Sequence, residues 1–176
     1  MKKYSLLTII AVVILAMTSC DVKNNTETKT AGAALQPNDS IFTVNEGGYN
    51  FQIILPKDMM IANVPEISMN GATGDLHIHL GEQFWIVASQ EKMDMNAIKS
   101  AINDDMLFTN RIVEETNNSI LFQRILPDGT TYDFNFRSFS EVGGKPYLFK
   151  TSEEGEFSIE SVNRMRQAIS SVHQNV

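Results

Sequence analysis

Most of residues 41–151 consists of short segments in which apolar and polar residues alternate, separated by residues typical of tight turns. In the segment "YNFQIIL", for example, Tyr49, Phe51 and Ile53 alternate with polar residues. This period of two is typical of a strand that buries one face. Strands joined by tight turns pair with antiparallel neighbours, because a parallel pair needs a crossover of a dozen or more residues. The pattern therefore predicts a mostly antiparallel sheet.

"IFTV" before this segment is also expected to form a strand, and two groups of strands are expected after it. "DLHIHLG" and "QFWIVASQ" predict a hairpin around Gly81-Glu82, and the second strand is apolar at both Phe84 and Trp85, which is typical of a central strand covered on both faces. Four later segments predict an antiparallel meander, because the residues between them suit turns that need positive φ. The segments are "NRIVEET", "SILFQRIL", "TTYDFNFRSF" and "PYLFKTS", joined at Asn117-Asn118, Pro127-Asp128-Gly129 and Gly143-Gly144. Six to eight strands are expected in all.

Two helices are expected to cover the sheet. Asp94 can cap a helix from about Met95 to Met106, and Ser158 can cap a C-terminal helix with Glu160 in its first turn. The predicted fold class is α+β, in which a mostly antiparallel β-sheet is covered by an inserted helix and a C-terminal helix, as a single domain over residues 40–176. The predicted apolar faces are Ile98, Ala101, Ile102 and Met106 in the first helix, and Ile159, Val162, Met165, Ile169 and Val172 in the second.

Residues 1–19 have the features of an export signal. Lys2 and Lys3 precede an apolar run over residues 6–17, which is shorter than the roughly 20 residues that span a bilayer. The "AMTSC" that follows resembles the lipobox of bacterial lipoproteins, whose cysteine is acylated before the preceding peptide is removed. This resemblance implies cleavage after Ser19 and a lipid anchor on Cys20, where several acyl chains give stable attachment. The alternative is an ordinary secreted protein in which Cys20 is a free thiol.

Composition limits the partners of the exported chain. The full sequence has 14 Lys and Arg against 21 Asp and Glu, a formal net charge of −7, and removal of Lys2 and Lys3 with the signal would bring it to −9. An acidic chain lacks the clustered cations that nucleic acids and anionic headgroups attract, so no nucleic-acid partner is expected and the lipid is the expected contact with the membrane. Because Cys20 is the only cysteine, no internal disulfide can form, and an apolar core must stabilise the fold.

Residues 20–39 are expected to form the lipidated cysteine and a flexible tether. "DVKNNTETKTAGAALQPND" has almost no large apolar residues, which is typical of a linker. The predicted location is a bacterial cell membrane or outer membrane, with the domain lipid-anchored and facing the periplasm. Beside the tether, Asp39-Ser40-Ile41 is similar to a short O-glycosylation motif of Bacteroidota, which implies a glycan on Ser40.

Two segments resemble PsbP-like domains. "GGYNFQIILPKDMM" is similar to the opening of these domains, where a Gly and an aromatic residue lead into an alternating strand that ends in Pro-Lys. "YLFKTSEEGEFSIESVNRMRQAISSV" is similar to their last strand and terminal helix. After Pro56-Lys57 the family commonly has Gly and Trp, where this chain has Asp58, Met59 and Met60. The resemblance implies a sheet covered by helices that serves as an extracytoplasmic accessory or binding module, and it supplies no catalytic residues.

His77 and His79 are the residues most suggestive of metal chemistry. Two apart on a strand, they point to one face with about 6.5 Å of backbone between them, and Asp75 shares that face. Imidazoles so placed can bind one copper or zinc ion, with a further ligand from Asp75 or Met93-x-Met95. The sequence favours the alternative, in which the histidines belong to the polar face of a strand and the methionines fill the core.

No set of residues predicts an enzyme. There is no Gly-x-Ser-x-Gly elbow, and adjacent acids such as Glu114-Glu115 diverge on a strand instead of sharing a substrate. The sequence therefore predicts a lipid-anchored, non-enzymatic binding or accessory module of the cell envelope, without a cofactor, that acts on a partner protein or a small ligand. Two alternatives stay open at this point: a periplasmic copper or zinc binding protein that uses His77 and His79, and an envelope hydrolase.

Overall fold

The computed structural model describes residues 41–175, so the predicted signal peptide, Cys20, the tether and Ser40 lie outside the described residues. Within the described part, no helix is long and apolar enough to cross a bilayer. The strands of residues 41–175 are β1 (Ile41–Glu46), β2 (Tyr49–Ile54), β3 (Glu66–Met69), β4 (Leu76–His79), β5 (Trp85–Ser89), β6 (Thr109–Glu115), β7 (Ser119–Ile125), β8 (Thr131–Val142), β9 (Lys145–Thr151) and β10 (His173–Gln174), and their helices are α1 (Lys57–Ala62), α2 (Met95–Asn103) and α3 (Ile159–Ser170).

The strands form two antiparallel sheets. The larger sheet has the order β3-β4-β5-β9-β8-β7-β6, and the smaller has the order β1-β2-β10. Strands β6, β7 and β8 each pair with the next strand in the chain, which confirms the predicted meander, and β4 pairs with β5 in the predicted hairpin. The pairing of β5 with β9 joins these two groups into one sheet. The chain is thus a mixed α+β fold with mostly antiparallel sheets, as predicted.

The turn between β8 and β9 shows why the sequence places two glycines there. Gly143 and Gly144 have φ values of 60° and 75°. A two-residue type I′ hairpin needs positive φ at both central residues, which glycine adopts without steric cost. The predicted turn is therefore confirmed.

The main core lies between one face of the larger sheet, the smaller sheet and α3. Phe51 and Ile53 of β2 are fully buried against Phe149 of β9, which confirms the predicted inward face of β2. The Tyr49 hydroxyl donates to the carbonyl oxygens of Ala88 at 2.9 Å and Gly74 at 3.1 Å, so it ties the two sheets together. Burial raises the pKa of Tyr49, and it stays a neutral donor.

Helix α3 closes the main core. Ser158 caps it by accepting a hydrogen bond from the Ser161 N–H, as predicted, and Val162 and Met165 are fully buried. Ile159 is a correction, because 38% of its surface is exposed. It occupies the first helical position, where the chain has only begun to approach the sheet.

Helix α2 packs on the opposite face of the larger sheet. Asp94 caps it by accepting a hydrogen bond from the Ala97 N–H, as predicted. Ile102 contacts Ile120 and Phe122 of β7, whereas Leu121 between them points into the main core. The prediction was wrong at the end of this helix, since it stops at Asn103 and leaves Ala101 and Met106 exposed.

Three short elements were not predicted from the sequence: the strands β3 and β10 and the helix α1. Strand β3 has four residues and only half-buried apolar side chains, and β10 has two residues. Helix α1 has six residues, follows Pro56 and buries no residue. Segments this short carry too few periods to predict from a pattern, and tertiary contacts determine their conformation.

Candidate functional site

Two regions of the larger sheet hold the side chains of interest, both on the face opposite the main core. His77 and His79 lie on this face of β4, at one end of the sheet. Helix α2 covers the β7–β8 end of the same face.

The histidine pair shares one aromatic neighbour. The Trp85 Nε1–H donates to His77 Nδ1 at 3.1 Å, and the His79 ring lies 4.8 Å from the Trp85 ring between centroids. Trp85 is only half-buried, so β5 is not covered on both faces along its whole length, although Val87 is buried. The predicted convergence of His77 and His79 on one face is present.

This geometry limits what the pair can bind. A neutral imidazole has one nitrogen with a free lone pair, and in His77 the Nδ1 lone pair accepts the Trp85 hydrogen bond. Ligation through His77 would therefore require loss of that bond or a change of tautomer. Among residues 41–175, no three His, Cys, Asp or Glu side chains are grouped so that they could hold a metal ion, and Asp75 completes no such group.

The methionines considered as copper ligands contact the apolar cores in most cases. Met59 and Met60 pack against the main core, and Met95 packs against the cluster beneath α2. Met93 is 59% exposed. The packing role that the sequence favours is therefore observed for three of these four residues.

Hydrolysis by a serine and a histidine finds no support in the contacts of His173. Its ring nitrogens contact the Ser171 carbonyl at 2.9 Å and Gln52 Oε1 at 3.0 Å. The Ser171 hydroxyl instead donates to the Ala168 carbonyl and accepts from the Ile54 N–H. An activated nucleophile needs its hydroxyl against the base, and this pair lacks that contact.

A cavity of about 380 Å³ lies between α2 and the sheet and is called here the α2 cavity; it is smaller than the open groove of about 590 Å³ beside α1 and α3, but it contains two arginines on the sheet. Helix α2 and the loop after it form one wall, and β6, β7 and β8 form the other. Glu153, in the turn after β9, lies at its rim. The lining residues are Ile98, Ala101, Ile102, Asp105, Leu107, Phe108, Asn110, Phe122, Arg124, Asn135, Arg137 and Glu153.

Arg124 is the well-paired arginine of the α2 cavity. Its Nε and Nη2 donate to the two carboxylate oxygens of Asp133 at 2.7 and 2.5 Å, and its guanidinium lies 4.8 Å from the centre of the Phe108 ring. The hydrogen bonds to Asp133 raise the pKa of Arg124 above its ordinary value. Asn135 donates to the same carboxylate at 2.9 Å. These side chains form part of the cavity wall, and their hydrogen-bond partners are other residues of the same chain.

Arg137 is the poorly paired arginine. Only 17% of its side chain is exposed, yet its hydrogen bond is to the Phe136 carbonyl at 3.1 Å, and the nearest carboxylate, of Glu153, is 3.7 Å away. The guanidinium lies over the Phe122 ring at 5.6 Å from its centre. Burial lowers the pKa of Arg137, and the positive charge of Arg124 lowers it further, while Glu153 opposes both. An arginine stays charged in proteins, so the α2 cavity holds a buried cation with few partners.

Two further polar side chains complete the wall near the end of α2. Asp105 accepts hydrogen bonds from the backbone N–H groups of Leu107 and Phe108 and from Asn110 Nδ2. Although burial by itself raises the pKa of Asp105, these hydrogen bonds together hold it below its ordinary value. Asn110 Nδ2 also donates to the Ile102 carbonyl at 2.7 Å. Within residues 41–175, Asn110 Oδ1 is the one buried side-chain polar atom without a hydrogen-bond partner.

The α2 cavity was missed by sequence reasoning, although a signal was present. Asp133, Asn135 and Arg137 alternate along β8, on the side of the strand opposite Phe136. Strand β8 is an interior strand of the predicted meander, and a row of polar residues on an interior strand that faces a helix requires partners. That row of polar residues, together with the predicted inserted helix, could have indicated a polar site between β8 and the helix.

No family model, curated protein sequence or solved structure matches the chain.

Proposed function

We propose that this protein is a lipid-anchored, non-enzymatic binding module of the cell envelope, which holds a small ligand in the α2 cavity. The observation that carries the proposal is a cavity of about 380 Å³ whose wall contains Arg137, a mostly buried cation with one hydrogen bond and a carboxylate no nearer than 3.7 Å. Six of its twelve lining residues are apolar and six are polar or charged, so it offers both an apolar surface and groups that can orient a ligand.

The sequence supports the anchored part of the proposal. The lipobox-like segment that ends in Cys20 and the polar segment after it are those of a domain held near a membrane. The resemblance to PsbP-like domains supports an extracytoplasmic accessory or binding role.

Occupancy of the cavity can be tested by filling it. Ala101 lines the α2 cavity and is exposed, so Ala101→Trp would place an indole in the space without removing a core contact. Ala97→Trp is the matched control, because Ala97 is exposed on the same helix and does not line the cavity. The full chain is extracted from host membranes in mild detergent and analysed by native mass spectrometry.

We expect a small-molecule adduct on the wild type and on Ala97→Trp that is absent from Ala101→Trp. The same adduct on all three chains would contradict binding in the α2 cavity. A wild-type chain free of any adduct, even after incubation with an extract of host envelopes, would also contradict it.

A further inference from the structure

The chemistry of the α2 cavity points to one class of ligand, an inference that rests on the proposed function. We infer that the α2 cavity binds a small organic monocarboxylate, whose carboxylate pairs with the Arg137 guanidinium and whose apolar part lies against Phe122 and α2.

The first argument is the unused bonding capacity of Arg137. A guanidinium has five N–H donors, and here one hydrogen bond goes to the Phe136 carbonyl. The distance of 3.7 Å to Glu153 Oε1 is longer than a hydrogen bond. A buried charge without partners is costly, and a carboxylate offers two oxygens in the geometry of a guanidinium edge. A ligand carboxylate would therefore be stabilised at Arg137.

The second argument is that Arg124 is not available for the same role. Asp133 occupies two of its donors, and its guanidinium lies over the rings of Phe108 and Tyr132. One cation of the cavity is thus paired by two short hydrogen bonds within the wall, whereas the other has only the longer ion pair with the exposed Glu153. This asymmetry predicts one anionic group per ligand.

The third argument excludes a dianion such as phosphate. Asp105 and Glu153 also line the cavity, and hydrogen bonds hold the pKa of Asp105 low, so that it stays ionised. Counted with Asp133 behind the wall, these acids are three against two arginines, and this surplus of negative charge disfavours a doubly charged group more than a singly charged one. The surrounding side chains, including Phe122 and Ile102, favour an apolar body beside the single charge.

Glu153 competes with the ligand for Arg137. Its side chain is 73% exposed and lies in a turn, so it can move into solvent when a ligand carboxylate arrives. Removal of its charge should therefore tighten binding, whereas removal of the charge of Arg137 should weaken it. These opposite signs separate ligand pairing from a general loss of structure.

The test uses the full chain in mild detergent, with fluorine NMR titrations of 4-fluorophenylacetate, its neutral amide and, by competition, inorganic phosphate. We expect the carboxylate to bind at least about tenfold more tightly than the amide, since hydrogen bonds between charged groups are worth that factor or more. We expect phosphate not to displace it.

Three variants complete the design. Arg137→Gln should weaken carboxylate binding by at least about tenfold. Glu153→Gln should tighten it about two- to fivefold, which is the range of a partly exposed ion pair. Glu154→Gln removes the same charge from the neighbouring exposed residue and should leave the affinity unchanged.

Each outcome bears on the inference. Equal binding of carboxylate and amide, unaffected by Arg137→Gln, would overturn the carboxylate assignment and leave the proposed function standing. Displacement by phosphate, a loss of affinity in Glu153→Gln, or no carboxylate binding at all would also overturn it. If Arg137→Gln does not fold, the contrast between tighter binding in Glu153→Gln and unchanged binding in Glu154→Gln decides the matter alone. The proposed function fails separately, in the adduct experiment with Ala101→Trp.

Discussion

At the scale of single residues, the row of polar side chains on β8 stabilises the wall of the α2 cavity through one buried ion pair. Asp133 is 1% exposed and Arg124 is 14% exposed, and Asn135 donates to the same carboxylate. Thr151 in turn donates to Asn135 Oδ1 at 2.6 Å. Each of these side chains is a hydrogen-bond partner of the next, so removal of one leaves a buried polar group without a partner.

Asp133→Asn is therefore expected to be strongly destabilising. The amide removes the negative charge and leaves Arg124 buried without its counterion, which costs about 3–5 kcal/mol of the free energy of unfolding. Urea denaturation followed by circular dichroism measures this. The control is Glu141→Gln, an exposed carboxylate on the same strand, which should change the free energy by less than about 0.5 kcal/mol. Equal effects of the two substitutions would show that the ion pair contributes nothing.

The histidine pair gives a second prediction at this scale. Because His77 Nδ1 accepts from Trp85, we expect the wild type and a His77→Ala, His79→Ala variant to bind Cu(I), Cu(II) and Zn(II) equally weakly. Calorimetry measures the affinity, and the emission of Trp85, the only tryptophan, reports on binding beside it. Tight one-to-one binding that is lost in the variant would instead favour the metal-binding alternative.

At the scale of elements, α3 is joined to the edge strand β6 by a second ion pair. Arg166 donates to both carboxylate oxygens of Glu114, at 3.0 and 2.6 Å. These hydrogen bonds and the positive charge of Arg166 lower the pKa of Glu114. A lowered pKa in the folded state means that the stabilisation is complete above the ordinary glutamate pKa and is lost as the pH falls through the lowered value.

Arg166→Gln should therefore destabilise the protein near neutral pH and have little effect in acid. Half of the Glu114 side chain is exposed, so solvent screening keeps the difference below about 1 kcal/mol. Thermal melts of wild type and variant, taken between pH 7 and pH 3, measure the difference. A difference that is constant over this range, or that grows in acid, would contradict the role of Glu114.

The elements also show what the sequence can predict and what it cannot. The meander follows from alternation and from the residues of its turns, and the caps of α2 and α3 follow from Asp94 and Ser158. These are local signals. The α2 cavity depends on which face of the meander α2 covers, and this is set by the packing of α2 on strands that follow it in the chain, which alternation within β8 does not indicate. Arg137 therefore looked like an ordinary polar residue in the sequence, and its incomplete pairing became evident only in three dimensions.

At the scale of the whole molecule, the two faces of the larger sheet differ in kind. Helix α3 and the smaller sheet cover one face and form with it an apolar core that includes Phe51, Phe149 and Val162. The other face is covered by α2 over a polar wall that contains two arginines. The apolar core on the first face stabilises a chain that has no internal disulfide. The face beneath α2 is the one that we propose holds a ligand.

The last prediction concerns the proposed lipid anchor at Cys20. In a native-type host, mass spectrometry of the membrane fraction should show a chain cut after Ser19 that carries a diacylglycerol on Cys20. Cys20→Ser removes the thiol that accepts the lipid, so this variant should leave the membrane fraction or keep its signal peptide. Ser19→Ala keeps a small residue before the cysteine and should be processed like the wild type.

Protease added to whole cells should spare the domain if it faces the periplasm. An unmodified Cys20 in a soluble wild-type chain would contradict the anchor, and removal of the domain by the protease would place it on the cell surface.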